Sequence, residues 1–148
     1  MHTPDKQTKH KEDSNMVKLI PGKRGSGKTK LLIEAIKTAK KESNGNVVAI
    51  QIGNSLNSQI KHDVRLINIE DYGVSGCDAM RGFVGGIMAS DYDCTHIFVD
   101  GILKIVGRDF GEVAGMLEKF DKVSGDSAII LTFSEDANML PENIRKYL

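Results

Sequence analysis

A glycine-rich run at residues 22–29, GKRGSGKT, has the residue types and spacing needed to hold phosphate groups. Its glycines let the backbone curl so that successive N–H groups point inward, as a phosphate cradle requires. The lysine near its end supplies a mobile positive charge for β- and γ-phosphates, and the next threonine supplies a hydroxyl for Mg²⁺. The chemistry predicted is binding of a nucleoside triphosphate. The predicted binding residues are Gly22, Lys23, Arg24, Gly25, Ser26, Gly27, Lys28, Thr29 and Lys30.

The run matches the pattern GxxxxGK[ST], known as Walker A, and it lies between a predicted strand and a predicted helix, as that motif requires. A chance match at ordinary residue frequencies is on the order of 1%. On this motif the chain resembles the P-loop NTPase superfamily over residues 16–134. Residues 97–100, IFVD, look like the Walker B strand of that superfamily. The resemblance implies ATP and Mg²⁺ as cofactors, Lys28 and Asp100 as catalytic residues, and Thr29 and Asp100 as metal-binding residues.

Two features that the chain lacks limit which branch of the superfamily it resembles. The guanine-reading motif NKxD is absent, so ATP is the expected nucleotide. RecA-like and AAA-like members usually place a glutamate directly after, or close to, the Walker B aspartate. Here Gly101 follows Asp100, and no acidic residue follows until Asp109. Glu70 and Asp71 are candidates for activating water, although an exposed acidic turn explains them equally well. Thr132 and Ser134, at the end of the last predicted strand, are candidates for sensing the γ-phosphate or are ordinary strand-end residues.

The elements that must position these residues alternate between strand and helix. Three glycines in the second long helix predict close packing on the sheet or a bend, and Asn44-Gly45-Asn46 is predicted to end the first helix at a positive φ. The alternation favours an α/β three-layer sandwich with a mostly parallel five-stranded sheet, and the element order is similar to that of RecA-like and thymidine-kinase-like P-loop proteins. Strands are predicted at 16–20, 47–52, 64–69, 95–100 and 127–133, and helices at 28–42, 77–89, 109–123 and 141–148.

Composition limits the partners. Residues 1–45 carry eleven Lys and Arg against five Asp and Glu, whereas residues 46–148 carry nine against fifteen. The net charge of zero therefore combines a basic N-terminal part with an acidic remainder. The basic charge suits a triphosphate better than a nucleic-acid groove. Aromatic residues make up only 5% and Trp is absent, which argues against a surface for stacking nucleic-acid bases.

The polar tail, the two cysteines and the hydropathy of the chain predict the bounds of the domain and its location. Residues 1–15 are polar and predict a disordered tail before a nucleotide-binding domain at 16–148, with Met16 as an alternative start. Cys77 and Cys94 form no CxxC pair, which excludes a cysteine zinc site. No apolar run of about 18 residues predicts a membrane span. Together these features predict a cytoplasmic protein with reduced thiols.

The function that these motifs predict is ATP binding with Mg²⁺-dependent hydrolysis, slow or stimulated by a partner, in a nucleotide switch or regulator. A protein partner or a second copy of the chain would supply the missing catalytic residue. Two alternatives remain open. One is a nucleoside or metabolite kinase that holds its acceptor at residues 53–63 and 70–78; against thymidine kinases in particular, their DE pair is Asp100-Gly101 here and their zinc lobe is absent. The other is a module that binds ATP without hydrolysing it.

Overall fold

The computed structural model describes residues 15–57, 59–60 and 63–148. Apart from Asn15, the predicted tail at 1–15 lies outside the described residues. The strands are β1 (Val17–Pro21), β2 (Asn46–Gln51), β3 (Arg65–Asn68), β4 (Cys94–Val99) and β5 (Ala128–Phe133). The α-helices in the described residues are α1 (Lys28–Glu42), α2 (Cys77–Ser90), α3 (Ile102–Val106), α4 (Phe110–Val123) and α5 (Glu142–Arg145), with short 3₁₀ turns at Ile69–Tyr72 and Ala137–Met139.

The five strands form one sheet in the order β1-β5-β4-β2-β3, and every neighbouring pair is parallel. The predicted α/β class with a five-stranded parallel sheet is confirmed. Because parallel strands point the same way, their carboxyl ends meet at one edge of the sheet. The glycine-rich run after β1 and Asp100 after β4 therefore lie at the same edge, although β5 separates the two strands.

Helices cover both faces of the sheet, and alternate residues of each strand pack on opposite sides. In β2, Val47 and Ala49 pack with Leu32 and Ile36 of α1. The residues between and after them, Val48 and Ile50, belong to the core on the other face, which contains Met80, Val84, Val113 and Leu117 from α2 and α4. A strand buried on both faces needs apolar residues at successive positions, which is why β2 reads as a continuous run.

The first helix has the predicted bounds, but the backbone conformation that ends it differs from the prediction. No residue from 44 to 46 has a positive φ, and the helix closes at Ser43 in an extended conformation with φ −77° and ψ 139°. Gly45 is needed for a different reason, since a Cβ there would collide with the carbonyl oxygen of Asp93. The short helix α3 was not predicted, because five residues are too few to show helical periodicity.

The glycines of α2 give a test of this packing. A Cβ built at Gly82, Gly85 or Gly86 meets no atom within 4 Å, so they are not needed for close packing on the sheet. We expect Gly86→Ala to raise the free energy of unfolding by about 1 kcal/mol, because alanine has the higher helix propensity. Urea unfolding measures this change. The matched variant Gly45→Ala should instead lower stability through the collision with Asp93, and equal effects of the two variants would contradict the packing described.

Candidate functional site

The loop between β1 and α1 is built by glycines that other residues could replace only with strain. Gly25 and Gly27 have φ of 81° and 93°. Gly22 has φ of 150°, and a Cβ there would collide with the Ser26 hydroxyl. Gly27 is the residue that precedes α1, so no side chain caps the helix, and no acidic residue lies in the first turn. The N–H groups at the start of α1 are thus available to an anion.

Lys28 is the buried cation of the site. Its side chain folds back so that Nζ donates to the carbonyl of Lys23 at 3.0 Å, and the residue is only 8% exposed. Burial lowers the pKa of Lys28 below its usual 10.5; the Asp100 carboxylate opposes this shift and the Lys104 ammonium adds to it. A phosphate group beside Lys28 would favour the charged form.

Asp100 directly follows β4 and is 6% exposed. Thr29 Oγ1 lies 3.2 Å from both of its carboxylate oxygens. Ser55 Oγ donates to Oδ2 at 2.7 Å, and Thr132 Oγ1 donates to Oδ1 at 2.8 Å. The Thr132 hydroxyl also accepts the Gly101 N–H at 2.7 Å, which fixes its orientation. Hydroxyl and carboxylate oxygens are therefore gathered at one point, and such oxygens are the ligands that Mg²⁺ takes.

Ser55 is a site residue that sequence reasoning missed, because it lay in a loop read only as polar. Two contacts of the buried Gln51 hold this loop: its Oε1 accepts the Leu56 N–H at 2.8 Å, and its Nε2 donates to Asn57 Oδ1 at 2.6 Å. Leu56 itself is fully buried. No spacing in the sequence connects Ser55 with Asp100, since their contact depends on β2 lying beside β4.

The other predicted residues have different surroundings. Glu70 and Asp71 lie in the exposed 3₁₀ turn after β3 and do not line the cleft around Asp100. Glu70 Oε1 accepts the Gly53 N–H at 3.2 Å, so it contacts the loop that carries Ser55. Lys23 and Lys30 are exposed and do not line this cleft.

A cleft of about 480 Å³ joins these groups, within the size range of ligand pockets. Among its described lining residues, the basic side chains outnumber the acidic ones, so the cleft favours an anionic ligand. The basic residues are Arg24, Lys28, Lys104 and Arg108, the acidic residue is Asp100, and the hydroxyl residues are Thr29, Ser55, Thr132 and Ser134.

Two searches of the described residues gave negative results. None of their helices combines the length and the apolar character that crossing a membrane requires. They also contain no group of three or more His, Cys, Asp or Glu side chains able to hold a metal ion.

No family model and no curated protein sequence matches the chain. Among solved structures, PCH-2 from C. elegans is similar, with a TM-score of 0.54 and 17% sequence identity over 92% of this chain. The chain spans 34% of that structure's chain, about a third of its length. The likeness shows the fold alone: an α/β architecture with a parallel sheet.

Proposed function

We propose that the chain binds ATP with Mg²⁺ and hydrolyses it slowly or on stimulation by a partner, as a nucleotide switch or regulator. The observation that carries the proposal is the meeting of Thr29 with Asp100 beside the buried Lys28, at the carboxyl edge of the sheet. The glycine loop and the uncapped start of α1 supply N–H groups for the phosphates. ATP is preferred to GTP because the chain has no NKxD motif.

The residues present suit a magnesium ion. Thr29 and Asp100 would hold it, with the Ser55 hydroxyl next to the same carboxylate. When bound, Mg²⁺ neutralises negative charge on the phosphates. The side chains themselves bind and orient: Lys28 holds the phosphate chain, and Thr132 orients the Asp100 carboxylate through its hydroxyl.

We expect slow hydrolysis because the described lining residues of the cleft include a single carboxylate. Asp100 is the only acidic residue among its described lining residues, and its oxygens already face the Thr29, Ser55 and Thr132 hydroxyls. A second carboxylate that could activate a water molecule is not among them. A protein partner or a second copy of this chain could complete the site, and an arginine supplied in trans accelerates such reactions by about 10³–10⁵-fold in other P-loop enzymes.

Calorimetry with ATP, ADP and GTP, each with and without Mg²⁺, followed by phosphate release on the same sample, tests this proposal. We expect ATP and ADP to bind, Mg²⁺ to strengthen ATP binding, GTP to bind more weakly, and phosphate release by the purified protein to be slow. Failure to bind any nucleotide would refute the proposal. Rapid turnover by the isolated chain would refute its slow or partner-stimulated part.

Glu70→Gln tests whether the chain carries its own base. The glutamine oxygen can still accept the Gly53 N–H, so we expect unchanged ATP affinity. Because Glu70 does not line the cleft, we also expect unchanged phosphate release. A fall of about 100-fold at unchanged affinity would assign the base to Glu70, since general bases contribute this much. Asp71→Asn, the adjacent acid in the same turn, provides the same measurement for the second candidate.

Small-molecule kinase activity is the second candidate function. It is favoured by the position of Ser55, because the loop after β2 brings a hydroxyl residue into the cleft where an acceptor would have to lie. Phosphate transfer from ATP to a panel of nucleosides and metabolites tests it. Transfer to one acceptor, in preference to water, would replace the switch with a kinase.

A further inference from the structure

Arg108 is a cationic residue of the cleft that the proposed function does not use. It follows α3, and both terminal guanidinium nitrogens donate to the carbonyl of Ser134 at 3.3 Å. Its Nη2 also forms an ion pair with the Glu135 carboxylate. The Arg108 side chain is 52% exposed, whereas that of Glu135 is 26% exposed. The arginine is therefore held at one side and open at the other.

The guanidinium has donors left for a ligand. An arginine carries five N–H donors, and the described residues accept three hydrogen bonds from Arg108. The remaining donors belong to a side chain that lines the same cleft as Lys28 and Asp100. Guanidinium groups bind phosphate through two parallel hydrogen bonds, so the residue type suits a phosphate oxygen.

Glu135 connects this arginine with the glycine loop. Its carboxylate pairs with Arg108, and its backbone carbonyl accepts the N–H of Gly22, the first residue of the loop, at 2.9 Å. The segment that carries Glu135 leaves β5 shortly after Thr132, which contacts the Asp100 carboxylate. Arg108 and Asp100 thus line the same cleft, and in P-loop enzymes the carboxylate at the position of Asp100 orders the metal at the β- and γ-phosphates.

We propose that Arg108 binds the terminal phosphate of a bound triphosphate, in competition with Glu135, and that Arg108 stays paired with Glu135 when a diphosphate is bound. The inference rests on the proposed function and deepens it, because it names the residue by which one chain distinguishes ATP from ADP. A γ-phosphate offers the guanidinium a second anionic partner, whereas with ADP the ion pair to Glu135 remains.

Two variants with opposite expected effects test the inference. In calorimetry with Mg²⁺, Arg108→Gln should weaken binding of a non-hydrolysable ATP analogue about tenfold, the loss expected for one charged hydrogen-bond contact, and leave ADP binding unchanged. Glu135→Gln removes the competing charge but keeps the backbone carbonyl, so it should strengthen binding of the analogue and leave ADP binding unchanged. Arg65→Gln, an exposed arginine on the edge strand β3, should bind both nucleotides like the wild type.

The outcomes separate this inference from the proposed function. If the wild-type protein binds neither nucleotide, the proposed function fails and the inference fails with it. If the wild type binds both, but Arg108→Gln weakens both equally or neither, only the inference is refuted. Arg108→Lys keeps the charge and loses the paired donors; it should lose part of the preference for the triphosphate, and it supplies the test if the glutamine variant does not fold.

Discussion

Replacing Lys28 with alanine is expected to weaken ATP binding by about 100-fold, because the phosphates lose a charged hydrogen-bond donor. The Lys28 side chain takes part in two features of the structure. It lines the cleft beside Asp100, and it closes the glycine loop by donating to the carbonyl of Lys23 at 3.0 Å. The substitution therefore removes both the proposed phosphate ligand and a contact that shapes the glycine loop. Calorimetry with ATP and Mg²⁺ measures the loss.

The stability of this variant shows whether the loss is local. The lowered pKa of Lys28 means that its native surroundings disfavour the charged ammonium, so removing that charge should offset part of the lost hydrogen bond to Lys23. The free energy of unfolding at neutral pH should therefore change by no more than about 1 kcal/mol. Lys37→Ala is the matched control, since Lys37 is an exposed lysine of the same helix α1 outside the cleft. Unchanged ATP affinity in Lys28→Ala would refute the phosphate-binding role of Lys28.

Asp100→Asn is expected to abolish the affinity gain that Mg²⁺ gives the wild-type protein for ATP. The variant keeps the shape of the side chain, so Thr29, Ser55 and Thr132 keep a neighbour of the same size. It loses the negative charge that a divalent cation requires. Phosphate release should fall by about 100-fold or more, because the site loses the group that orders the metal at the phosphates.

The measurement compares ATP affinity with Mg²⁺ and with EDTA for each protein. In the wild type the two affinities should differ, whereas in Asp100→Asn they should coincide near the EDTA value. Asp126→Asn is the matched control, because Asp126 is an exposed aspartate in the turn before β5, at the amino end of that strand, and is not among the residues that line the cleft. A full magnesium effect in Asp100→Asn would place the metal elsewhere.

The class of fold and the loop after β1 could be predicted from the sequence because both depend on short contiguous segments. Gly25 and Gly27 mark positions where only glycine takes a positive φ without strain, and Lys28 begins a helix whose apolar spacing predicted its bounds correctly. Continuous apolar runs such as 47–52 predicted strands buried on both faces, and the two core clusters on either side of β2 confirm this.

The end of the first helix and the short helix α3 are two features that such sequence patterns did not predict. Asn44-Gly45-Asn46 is typical of a left-handed helix end, yet Gly45 is required by the backbone of Asp93, which lies 48 positions further along the chain. The helix α3, with its five residues, contributes Leu103 and Lys104 to the cleft without any periodic signal that could predict it.

By itself, the sequence determined the glycine-rich loop after β1, the α/β class and the candidate pair Thr29 and Asp100, because each depends on local backbone geometry or on a contiguous motif. The tertiary structure decided which further side chains share the cleft, among them Ser55, Lys104 and Arg108. The physical reason is the strand order. Apolar strands buried on both faces have interchangeable patterns, so nothing in the chain predicts that β5 lies between β1 and β4, or that β2 brings Ser55 to Asp100.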